Sequence, residues 1–74
     1  MKTFRIVSEL VYVEEYKDKP VSAVKMYRIE QQYHFMWIFH YWKTPKFAEY
    51  ELFYYPNIAE HFIWSYYTDA VILR

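Results

Sequence analysis

Ten consecutive residues, Tyr33 to Trp42, carry no fixed charge, and each is aromatic, aliphatic, methionine or histidine. A run of this kind belongs at the centre of a fold or against a partner, because leaving it in water forfeits its burial free energy. Read as one strand over 31–43, its side chains alternate between two faces. Tyr33, Phe35, Trp37, Phe39 and Tyr41 form one face. His34, Met36, Ile38, His40 and Trp42 form the other.

The rest of the chain limits what can surround that strand. Seventy-four residues suit a single domain over 1–74 with one core, and such a chain buries only about 60% of its unfolded surface. With 55% hydrophobic and 26% aromatic residues disorder is excluded, and there are more large side chains than a core this small can hide. Cysteine is absent, which removes disulfides, thiolate metal sites and a cysteine nucleophile. Glycine is absent as well, which removes Gly-rich phosphate loops and the dinucleotide fingerprint, and makes a tightly closed small barrel harder to build. Ser8 and Glu9 interrupt the only stretch that could open a secretory signal. The run from Tyr33 to Trp42 is about half a membrane helix. These features predict a cytoplasmic protein with no membrane segment.

The strands are read as follows. Residues 3–16 are rich in β-branched and aromatic types and suit a first strand, long enough to require a bend or bulge. Lys17-Asp18-Lys19-Pro20 supplies a turn. Residues 21–30 alternate loosely as a second strand, with a helix as the competitor. Gln31-Gln32 would connect it to the aromatic strand, although Gln-Gln is poor turn chemistry. After the break at 43–46, residues 47–55 alternate as a fourth strand. A four-residue loop sets Trp42 opposite Phe47, His40 opposite Glu49 and Phe39 opposite Tyr50. Across the first hairpin Val13 meets Val24, Val11 meets Met26 and Glu9 meets Arg28. Asn57 followed by Glu60 fits an N-cap with a capping-box partner. Ala59, Phe62, Ile63, Tyr66 and Ala70 then lie at helical spacing. The expected fold is α+β: a small antiparallel four-stranded meander in order 1-2-3-4, with one C-terminal helix packed on its aromatic face. An all-β arrangement of five to six short strands is the alternative, and 70–73 suits a short strand or packed tail.

Candidate chemistry is sparse. On one extended strand His34 and His40 stand about 20 Å apart, too far for one ion at ~2 Å from each ligand, so no metal or cofactor is expected. Glu49 and Glu51, about 7 Å apart on one strand face, would sit beside His40, but a solvated strand face accounts for them without catalysis. Aromatic platforms that bind single-stranded RNA need flanking cations. Only Lys25, Arg28, Lys43 and Lys46 are near, so nucleic acid is an unlikely partner.

One helix cannot cover both sheet faces. The uncovered face, Tyr27, Met36, Ile38, His40, Trp42, Phe47, Glu49, Glu51, Phe53 and Tyr55, mixes bulk with isolated charge in the manner of a protein–protein hot spot. Beyond Lys46 the chain carries Glu49, Glu51, Glu60 and Asp69 against Arg74 alone, which favours a basic partner surface. In size and composition the chain resembles the small accessory proteins that phages and mobile elements use against host factors. The expectation is a non-enzymatic protein that occludes or sequesters a larger protein, with Tyr27, Met36, His40, Trp42, Phe47, Glu49, Glu51, Phe53 and Tyr55 at the contact. Nucleotide or single-stranded nucleic-acid binding, and a homodimer or other homo-oligomer subunit, are the alternatives.

Overall fold

The computed structural model describes residues 2–13, 22–36 and 38–73. Two long strands dominate it, β1 (Thr3–Val13) and β2 (Ser22–Phe35), followed by β3 (Phe39–Lys43), a 3-10 turn (Lys46–Ala48), helix α1 (Pro56–Tyr66) and β4 (Val71–Leu73). This is a small α+β fold, a four-stranded mixed sheet with one helix. The strand order is β3-β2-β1-β4, with β4 parallel to β1. It is not the antiparallel 1-2-3-4 meander, and the helix over 56–66 overturns the all-β alternative. Among the described residues no helix is long and apolar enough to cross a membrane.

The largest departure lies in the aromatic run itself. Gln31 and Gln32 do not turn; β2 continues through them to Phe35, and the chain reverses between Phe35 and its partner Phe39. Met36 takes φ 51° there, and the Ile38 N–H donates to the Phe35 carbonyl at 3.4 Å. A positive φ in a short hairpin connection is ordinarily supplied by glycine or asparagine. A chain without glycine or a well-placed asparagine meets that need with methionine. The left-handed region costs a non-glycine residue roughly 1–2 kcal/mol. Met36→Gly should therefore raise stability by about 1 kcal/mol, a gain of about 4–8 °C in melting temperature for a domain this size. A thermal melt showing no gain would mean that Met36 is unstrained.

Strands β1 and β2 pair without interruption from Phe4↔Gln31 to Val13↔Ser22, so no bulge interrupts the described part of the first strand. The register is two residues from the expected one: Val11 faces Val24, and Glu9 faces Met26. A shift of two keeps every side chain on its face, and Glu9 still reaches Arg28 diagonally at 3.6 Å. The turn expected at 17–20 lies outside the described residues.

Residues 47–55 do not form a strand. The β2 edge from Gln31 to Phe35 is already taken by β3, so only Phe53 pairs with β2, exchanging hydrogen bonds with Tyr27 at 2.7 and 2.9 Å. The intervening excursion folds inward, which buries Ala48 completely and wedges Phe47 against Phe4, Phe62, Tyr66 and Tyr67. The pairs His40–Glu49 and Phe39–Tyr50 are consequently not formed.

The helix crosses from the Phe53 edge to β4 on the far side of β1. It starts one residue before the expected Asn57 cap. Tyr55 is the N-cap without a side-chain bond, and Pro56 takes the first turn, where its missing N–H is no loss. Ala59 and Ile63, one turn apart, meet Phe4, Ile29, Ala48 and Phe53 in the buried core. That core lies on the sheet face shared by Phe35 and Phe39, but the helix does not reach those two, which are exposed. Trp37, the expected centre of the core, lies outside the described residues. Fourteen residues of β2 run about 46 Å, whereas the eleven-residue helix runs about 16 Å. The molecule is accordingly elongated, 51 × 26 × 21 Å with a radius of gyration of 15.0 Å, against about 11 Å for a compact chain of this length.

Candidate functional site

Past the helix, the ends of β2 and β3 form a projecting arm. Its pairs are Phe35↔Phe39, His34↔His40 and Tyr33↔Tyr41. On the helix side the Tyr33 and Tyr41 rings stack at 5.6 Å. On the opposite side the His34 and His40 rings meet edge to face at 4.4 Å. The end of the arm is open to solvent: Ile38 is 72% exposed, Met36 66%, Phe39 63% and Phe35 58%. No Asp, Glu, Lys or Arg interrupts it before Lys43.

At the base of the arm, the helix-free sheet face carries a chain of ionic contacts. The Arg5 guanidinium lies 4.2 Å from the Trp42 ring centroid, and its Nε donates to Glu30 Oε1 at 2.8 Å. Glu30 Oε2 accepts from Arg28 at 3.4 Å, and Arg28 reaches Glu9. The Arg28 Nε is buried without a partner. The carboxylate shared by two arginines holds β1 and β2 in register and fixes the Trp42 ring beside them.

The nine residues expected at one contact are dispersed. Phe53 is buried in the core, with the partly buried Tyr27 and Phe47 packed against it, so these three serve the core rather than one open contact face. His40 and Trp42 lie on the helix-free face, the latter half-buried under Arg5. Met36 is at the arm tip. Exposed Glu49 and Glu51 follow the 3-10 turn, and exposed Tyr55 caps the helix. Glu49 lines a cleft of about 340 Å³ with Tyr33, Tyr41, Lys43, Thr44 and Lys46. The Tyr33 hydroxyl there donates to Gln31 Oε1 at 3.2 Å. Desolvation, then the neighbouring Tyr41 and Tyr67, raise its pKa above the ordinary tyrosine value. The protonated phenol is thus favoured in the folded state, and this contribution to stability is complete below pH about 10 and lost as pH rises through the folded value.

The chain matches no protein-family model, no curated protein and no solved structure.

Function must then be argued from the surface. The alternation pattern places the exposed arm residues Phe35, Ile38 and Phe39 in the middle of one strand, although a signal for the arm is present. Tyr33-His34-Phe35 is mirrored by Phe39-His40-Tyr41 about residue 37, and a hairpin turning there pairs each residue with its own kind.

Proposed function

We propose that this chain is a non-enzymatic cytoplasmic binding protein that occludes or sequesters a larger protein, and that the arm tip is what it inserts. The observation that carries this reading is the exposure of Phe35, Met36, Ile38 and Phe39 at the end of an arm that the core does not support. Large apolar side chains grouped on a projection have no folding role to explain them, and such patches mark interaction sites. The accessible surface, 6104 Å², exceeds the roughly 5,000 Å² of a compact monomer of this mass. The excess is comparable with the about 800 Å² that each partner contributes to a standard interface. Glu49 and Glu51 near the arm base suit a partner with basic groups around the receiving groove. A part among the accessory proteins that phages direct at host factors fits the small size and the single projecting contact.

The test is affinity capture from host lysate with the native chain and with Ile38→Asp, each confirmed as folded. A protein retained by the native chain and lost with Ile38→Asp supports the reading; equal retention overturns it. If light scattering shows the partner to be a second copy, the reading changes to a homo-oligomer subunit. The cleft in which Lys43 and Lys46 meet Tyr33 and Tyr41 favours a second reading, a nucleotide or single strand held by stacking and phosphate contacts. The Glu49 carboxylate in the same cleft opposes it. Affinity falling steeply with salt would favour the nucleic acid.

A further inference from the structure

We propose that His34 and His40 form a two-imidazole binding site for a late first-row divalent cation, of the Zn²⁺, Ni²⁺ or Cu²⁺ class. The inference is independent of the arm's role as a protein contact. Four observations carry it. The two histidines are direct cross-strand partners, both are exposed, and their ring centroids are 4.4 Å apart. The fourth is the hydrogen-bond phase of the sheet. Tyr27 exchanges both its backbone bonds with Phe53 on the edge of β2 that β3 also uses. Backbone groups alternate sides along a strand, so odd-numbered residues of β2 face that edge, and His34↔His40 is a non-hydrogen-bonded pair. In such pairs the side chains approach most closely.

Two imidazole nitrogens share one ion when each lies about 2.0–2.1 Å from it. Rings already 4.4 Å apart on adjacent strands need only side-chain rotation to reach that geometry, with no change in the backbone. Imidazole prefers zinc, nickel and copper, whereas magnesium and calcium prefer oxygen ligands. Among the described residues no group of three or more His, Cys, Asp or Glu converges, so the protein supplies two ligands and water completes the shell. An ion held there clips β2 to β3 just behind the strained turn and stiffens the arm.

The experiment uses the full chain and the ions themselves. Thermal melts are recorded with Zn²⁺ and Ni²⁺, with Mg²⁺ as the comparison ion, and Cu²⁺ is titrated into isotopically labelled protein under NMR observation. The site predicts a melting-temperature rise of about 5–10 °C at roughly tenfold excess over Kd with zinc or nickel and none with magnesium. It also predicts copper broadening centred on residues 33–35 and 39–41. His34→Ala or His40→Ala should weaken binding about tenfold or more, while His61→Ala should bind as the native chain does. A purely structural ring contact would instead give no ion-dependent shift. That result, an equal response to magnesium, a shift kept when His34→Ala and His40→Ala are combined, or broadening centred away from the pair would each overturn the proposal.

Discussion

Phe4→Ala should remove a large share of the chain's stability. Phe4 is fully buried and lies on β1 between Gln31 of β2 and Ile72 of β4. Its ring meets Phe47 edge to face at 5.9 Å and stacks on Tyr67 at 5.8 Å. One side chain therefore ties together both flanking strands, the 3-10 turn and the segment leaving the helix. Truncating a buried phenylalanine costs about 3–5 kcal/mol, because the cavity cannot close when its walls are four different elements. At about 0.05–0.15 kcal/mol per residue, 74 residues hold roughly 4–11 kcal/mol in total. The loss should lower the melting temperature by at least about 12 °C. Leu10→Ala, on the same face of β1 but 59% exposed, should cost less than about 1 kcal/mol. Circular-dichroism melts of the two variants check this; equal small losses would show that the core is not organised around Phe4.

Where the sequence was readable, a short-range period carried the information. Ala59, Phe62, Ile63 and Tyr66 announce a helix because burial against a flat sheet selects a 3.6-residue stripe. The alternation in residues 3–13 and 22–30 likewise sorts side chains onto the two faces, and a two-residue error in register leaves that sorting intact. The reversal was hidden because Met36 carries no turn chemistry, and because an uninterrupted apolar run mimics one buried strand. Residues 47–53 alternate like a strand as well. Whether they become one depends on a free sheet edge, and β3 removes most of it, which no local pattern reports. The parallel pairing of Val71–Leu73 with β1 is equally non-local, since three apolar residues fit either edge and either direction. The candidate site suffered most, because it was drawn on the missing fourth strand. Phe53 and Phe47, expected at the contact on the uncovered face, instead close the core. Trp42 is tied to Arg5, so its truncation would disturb fold and binding together and test neither cleanly.

Ile38→Asp separates the two. Ile38 is 72% exposed near Met36 at the arm tip, so the folded monomer gains little from its side chain. Its replacement should move the melting temperature by no more than about 0.5 kcal/mol of stability allows. In an interface the balance is different. Fully burying an isoleucine is worth about 1.5–3 kcal/mol, and an aspartate in the same apolar groove would be desolvated without a partner. Together these should weaken target binding by at least about 2 kcal/mol, or roughly 30-fold, chiefly through faster dissociation. Tyr50→Asp is the matched control, since Tyr50 is 90% exposed but lies off the arm, and it should bind normally. Glu49→Lys with Glu51→Lys should instead slow association and change its salt dependence, because exposed acids steer encounter with a basic surface more than they hold the complex. Surface-plasmon kinetics on the captured target distinguish these outcomes. A folded Ile38→Asp that dissociates at the native rate would move the contact off the arm tip.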